Sequence, residues 1–228
     1  MRKTVVLLVV LSICCIALAG QLRVAAVKFP DVNCKFDTDC KITVNDKAAN
    51  FTLPGTEGVA FLQSRLWPKG EAGTAGAGLY VYQYRIDCTR LYARSGRACI
   101  YEMTIDFGGP VAPLDYNGDG QLEQVFLGTQ GGVGKLDKVA AQLNGTKVTL
   151  RFSIGTCAGA IVGGQRRAGD SSLFFGMASK QPHREVTATL NPSRAGGVNV
   201  AAWAPLAAPP TGKSTPPARA PRRPGTPR

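Results

Sequence analysis

The sequence predicts an all-β protein folded as a single antiparallel β-sandwich, with a jelly-roll-like arrangement as the near alternative. Between Gln21 and Trp203, apolar residues recur at every second position in short runs, which is the mark of half-buried strands. Gly, Pro, Asn and Asp break these runs at short intervals, as the turns of an all-β domain require. No long stretch carries the 3.6-residue apolar spacing of a helix. The roughly 184 residues from 20 to 203 suit one domain with a real core.

The first candidate strands are 41–45, 50–53 and 59–66. In 79–88, Tyr80, Tyr82, Tyr84 and Ile86 fall on one face, and Gln83, Arg85 and Asp87 on the other. In 99–107, Cys99, Tyr101, Met103, Ile105 and Phe107 alternate with Ile100, Glu102, Thr104 and Asp106. Two more candidates follow at 124–129 and 137–143. Asn144-Gly145 then predicts a type I′ hairpin into a strand whose Val148, Leu150, Phe152 and Ile154 alternate with Lys147, Thr149, Arg151 and Ser153. The last two candidates are 172–178 and 185–190, the latter alternating Val186, Ala188 and Leu190 with Glu185, Thr187 and Thr189.

Both ends differ from this body. Arg2-Lys3 followed by the 16 uncharged residues Thr4 to Ala19 has the layout of a secretory signal peptide. As a helix that run spans about 24 Å, less than the roughly 30 Å hydrocarbon core, so no stable membrane span is expected in the mature form. Ala17-Leu18-Ala19 fits a cleavage site, which gives 1–19 as leader and predicts a secreted, extracellular or periplasmic protein. Residues 204–228 hold eight of the fifteen prolines, five basic residues and no acid. Such a composition predicts a disordered, extended tail, acting as a spacer or as a basic arm for a cell-surface polysaccharide or other anionic envelope polymer. The formal charge is +12, but residues 20–203 carry 20 basic and 15 acidic side chains. That balance does not describe a nucleic-acid binder.

Without the leader, five cysteines remain, and an exported chain is expected to pair them. The local pairs are Cys34 with Cys40 and Cys88 with Cys99, the second across a polar hairpin tip, although spacing alone leaves connectivity open. Closing loops of 7 and 12 residues stabilises by about 2.4 and 2.8 kcal/mol. Cys157 is left over among small and apolar neighbours, as a buried, inert thiol.

The segment that names a chemistry is Asp115-Tyr116-Asn117-Gly118-Asp119-Gly120-Gln121-Leu122-Glu123. Asp115, Asn117, Asp119, the Gln121 carbonyl and Glu123 alternate as oxygen ligands around one hard cation, and the two glycines allow a tight turn. The expected cofactor is a structural Ca2+ held in the 0.1 to 1 mM class, against a metal-free Asx turn as the plain alternative. An EF-hand needs a bidentate acid at the twelfth position, where Phe126 stands. The nine residues resemble the DxNGDGxxD loops of integrin-type and FG-GAP repeats, with Glu123 where Asp is usual. That resemblance implies a calcium-binding strand-loop-strand, not a propeller. More broadly, the order of loop, hairpin, glycine-flanked Cys157 and Ser171 to Ser179 resembles exported bacterial β-sandwich domains of unassigned activity.

Catalytic constellations are weak. His183, the only histidine, lies in a turn-like Gln-Pro-His-Arg stretch, and no GxSxG elbow occurs. Glu102 and Asp106 are about 13 Å apart along one strand, too far to be a glycosidase pair by themselves, although Asp87 or Glu185 from a neighbouring strand could complete one. The sequence therefore predicts a non-catalytic extracellular or envelope module, binding or structural. The alternative is a carbohydrate-binding or carbohydrate-active domain with Tyr80, Tyr82 and Tyr84 as a stacking platform.

Overall fold

The computed structural model describes residues 20–130, 134–135, 138–192 and 196–207. Residues 1–19, expected as a leader, and 208–228, most of the tail expected at 204–228, lie outside the described residues. Among those described there are sixteen strands, one short 3-10 helix at Asp31–Lys35 and no α-helix. The strands open with β1 (Gly20–Leu22), β2 (Val24–Lys28), β3 (Asn45–Phe51), β4 (Thr56–Gly58), β5 (Ala60–Trp67), β6 (Tyr80–Asp87), β7 (Leu91–Ala93) and β8 (Cys99–Asp106). They continue with β9 (Val125–Gln130), β10 (Val139–Asn144), β11 (Lys147–Cys157), β12 (Gly159–Val162), β13 (Gln165–Arg166), β14 (Phe175–Ser179), β15 (His183–Pro192) and β16 (Val198–Pro205).

The fold class is the expected one. One six-stranded sheet runs β1-β10-β11-β8-β15-β16 and a second runs β2-β9-β14-β6-β5-β3, while β13-β12-β7-β4 form a small third sheet. Pairing is antiparallel except between β2 and β9 and between β12 and β7. The main core lies between the two large sheets, with Met103, Ile105, Leu150 and Leu190 from the first and Leu62, Tyr84, Ile86 and Phe175 from the second. On β11 the expected alternation holds as far as Ser153, with Val148, Leu150 and Phe152 buried and Lys147, Arg151 and Ser153 exposed, but Ile154, expected on the buried face, is exposed where the register shifts between Arg151 and Thr156.

The second sheet is also covered on its outer face. Val81, Phe126, Ala178 and Trp67 pack there against Val32 and Phe36 of the 3-10 segment and against Leu114 and Tyr116. Phe36 meets Trp67 edge-on with ring centroids 5.5 Å apart. Strand β6 is therefore buried on both faces, and Gln83 lies as deep as the tyrosines beside it.

At the start of the domain one strand serves both layers. β1 pairs with β10 in the first sheet, and after Arg23 the chain enters the second sheet as β2, beside β9. The Arg23 carbonyl accepts the N–H groups of Gln124 and Val125, both at 3.1 Å, which fixes the crossing point.

Several boundaries differ from expectation. Residues 41–45 and 50–53 are not separate strands, because 45–51 pairs continuously with β5 from Asn45 opposite Leu66 to Phe51 opposite Ala60. The hairpin after β10 is displaced by one residue: Asn144 pairs with Lys147, and Gly145, with φ 61°, is the first of two loop residues. A leading glycine is what a type II′ turn requires, so the type I′ expectation is corrected. β16 extends past Trp203 to Pro205, with Ala204 buried in the core.

Candidate metal loop and neighbouring side chains

The 115–123 loop is closed at its neck by Leu114 and Glu123, which exchange both backbone hydrogen bonds at 2.9 and 3.0 Å. Inside the loop, Asp115 Oδ1 accepts from the N–H groups of Gly118 (2.6 Å) and Asp119 (3.1 Å), and its Oδ2 accepts from Gly120 N–H (3.0 Å). Asn117 Nδ2 donates to Asp119 Oδ2 at 3.0 Å, and Asp119 Oδ1 accepts from Gln121 N–H at 2.8 Å. Gly118 and Gly120 both have φ 84°. A Cβ at Gly120 would meet nothing within 4 Å, so the demand for glycine there is conformational rather than steric.

The charges are unevenly compensated. Among the described residues none of Asp115, Asp119 and Glu123 makes a salt bridge within 4.0 Å. Glu123 is 6% exposed and accepts one N–H, from Tyr116 at 3.3 Å. Burial first, and then the charges of Asp119 and Asp115, hold its carboxyl above the ordinary 4.5, against the pull of the Tyr116 N–H and Arg23. For Asp115, desolvation acts upward but is outweighed by the Gly118, Gly120 and Asp119 N–H groups and by Lys35, so its carboxyl lies below the ordinary 3.8. Beside the loop is a groove of about 620 Å3 lined by Arg23, Asn117, Asp119, Gln121, Glu123 and Val139. The part played by Arg23 was not visible in the sequence, since only the sheet crossing brings it next to a loop about a hundred positions away. Among the described residues no group of three or more His, Cys, Asp or Glu side chains is arranged to hold a metal ion.

The tyrosine row does not form a stacking platform. Tyr82 and Tyr84 are fully buried in the main core and Tyr80 is half-buried. Tyr82 packs edge-on against Phe107 and donates its hydroxyl to the Gln181 carbonyl at 2.9 Å. Tyr84 lies against Phe175 and donates to the Trp203 carbonyl at 2.7 Å. Their alternation marks the inner face of a sandwich sheet, not a surface for ligands. Burial pushes both hydroxyl pKa values well above the ordinary 10.

The cysteines pair differently from the local rule. Cys34–Cys40 is bonded as expected, but Cys99 is bonded to Cys157, and among the described residues Cys88 is the free, buried thiol. The cause is register. An irregularity in β11 between Arg151 and Thr156 brings Cys157 opposite Cys99 on β8, whereas Cys88 follows β6 in the other sheet. Cys157 is therefore not the leftover thiol. Burial, followed by the nearby charges of Asp87 and Asp170, pushes the Cys88 thiol up to about 12. In the chain without residues 1–19, Cys88 is expected to resist a thiol reagent in the native protein and to titrate as one thiol per chain in guanidinium. Rapid native labelling would show that the residue is accessible.

The other chemistry-bearing side chains sit apart from the loop. His183 is exposed at the start of β15, its ring 5.4 Å from that of Trp203. Glu102 binds Arg151 at 2.7 Å and accepts from Asn191 at 2.7 Å, while Asp106 faces Arg184 at 3.2 Å. Searches of family models, curated proteins and solved structures found no match to this chain.

Proposed function

We propose that the protein is an exported, non-catalytic β-sandwich module of the extracellular or envelope space, with one Ca2+ held by the 115–123 loop as a structural ion. Asp115, Asn117, Asp119, the Gln121 carbonyl and Glu123 would hold it. This donor set is all oxygen, which suits a hard cation. The observation that carries the proposal is the Glu123 carboxylate, buried at the neck of the loop near Asp115 and Asp119 without a salt bridge among the described residues, its pKa raised by burial and then by those two carboxylates. Bound Ca2+ would neutralise that charge. The two disulfides fit an oxidising compartment. The basic tail would act as a spacer or as a tether to an anionic polymer.

The test is thermal unfolding with chelator and with about 1 mM Ca2+. For a dissociation constant of about 0.1 mM the ion adds about 1.4 kcal/mol, or roughly 3 to 6 °C in midpoint. Asp119→Ala should abolish the shift. Because the folded pKa of Glu123 lies above its unfolded value, its contribution in chelator is favourable at low pH and is lost as pH rises through the folded pKa. In Ca2+ this loss should disappear. Equal midpoints with and without Ca2+ at neutral pH would reduce the loop to an Asx turn.

A further inference from the structure

Buried polar atoms without a hydrogen-bond partner are concentrated on one face of this fold. Of four among the described residues, Gln63 Oε1, Gln83 Nε2 and Arg85 Nε lie on the outer face of β5 and β6, where Gln63 faces Arg85 and Arg65 faces Gln83. A buried orphan polar group is costly, and three together call for an explanation beyond stability.

The orientation of Gln83 is fixed. The Trp67 indole N–H donates to Gln83 Oε1 at 3.0 Å, and an indole nitrogen is a donor only, so the amide cannot be turned round. Gln83 is 1% exposed and its Nε2 is left over. It lines a cavity of about 230 Å3 together with Phe29, Ile42, Arg65, Trp67 and Phe174. Arg65 is held flat there, with Nε and Nη2 on Asp46 at 2.8 and 3.0 Å and its guanidinium 4.3 Å from the Phe174 ring centroid. Its other N–H groups make no hydrogen bond among the described residues. Nearby, Arg85 also sits over Phe174, at 5.4 Å, with Asp87 3.8 Å away as its ion-pair partner.

We propose that this cavity binds a small monocarboxylate with an apolar body. Gln83 and Arg65 turn N–H donors with no other partner among the described residues toward it, one an amide and the other a guanidinium, which matches an ionised carboxylate; Asn33, which also lines the cavity, adds an amide oxygen. Phe29, Ile42 and Trp67 supply an apolar wall for the rest of the molecule.

Benzoate is a suitable probe, and the full chain reports on it directly because it contains two tryptophans, Trp67 in the wall and Trp203 outside it. Titrating benzoate should give a saturable shift of the Trp67 indole N–H resonance with the Trp203 resonance unmoved. Benzyl alcohol should give a much weaker response. Gln83→Glu keeps the acceptor for Trp67 but replaces the donor with an oxygen, and it should weaken benzoate binding at least tenfold. Arg65→Lys, at a half-exposed position, should also weaken binding by removing the flat fork while retaining the charge. The proposal fails if millimolar benzoate leaves Trp67 unmoved, if both tryptophans respond alike, or if both variants bind as the parent does. It fails equally if the Gln83 amide shows a long-lived bound water that benzoate does not displace.

Discussion

Replacing both Cys99 and Cys157 by alanine is expected to cost about 4 kcal/mol and to lower the unfolding midpoint by roughly 8 to 16 °C. The bridge joins residues 58 apart, so it removes far more freedom from the unfolded chain than the Cys34–Cys40 bridge, which spans 6. Alanine replacement of Cys34 and Cys40 should cost only about 2.4 kcal/mol. The double replacement at 99 and 157 matters because a single one would leave a thiol free to seek Cys88. Denaturant unfolding of the two variants under identical conditions gives the comparison. If the 34/40 variant proved the less stable of the two, the chain-entropy account of these bridges would be wrong.

The second large effect concerns the tyrosine row. Tyr84→Ala should cost about 3 to 5 kcal/mol, since it empties a fully buried aromatic site between the large sheets. Tyr84→Phe keeps the volume and strips only the donor to the Trp203 carbonyl, so it should cost about 1 to 2 kcal/mol. Tyr80→Ala, at the half-buried end of the row, should cost less than either Tyr84→Ala or a comparable truncation at Tyr82. Equilibrium unfolding of the series separates core from platform. A nearly neutral Tyr84→Ala would put the row back on the surface and revive the carbohydrate alternative.

The parts of this fold that could be read from sequence are those where one face is apolar and the other charged. Lys147, Arg151 and Ser153 between Val148, Leu150 and Phe152 leave only one way to lay β11 on a core. β16 escaped notice because Ala201 and Ala202 differ in burial but not in chemistry, and because a proline-rich stretch follows at once. β1 and β2 adjoin the apolar run at 4–19, and a few small residues there carry too little pattern. Strand β6 misled in a different way: buried on both faces, it has Gln83 as deep as Tyr84, so alternation named the residues but not their surroundings. Disulfide pairing depended on the register between β8 and β11, which spacing along the chain does not encode. The 115–123 loop was legible because its requirements are local: glycines where φ is positive, and an aspartate that collects the N–H groups of the next turn.

The strand that crosses between the sheets bears on the order in which the molecule is completed. Gly20 lies opposite Leu143 and Val24 opposite Val125, so during synthesis this segment has no partner until about a hundred further residues exist. Through synthesis and any translocation, Val24-Ala25-Ala26-Val27 remains an unpaired apolar edge, open to association with other chains. Closing so long a loop carries its entropy cost before any contact rewards it, which places this staple across both layers among the late events of folding.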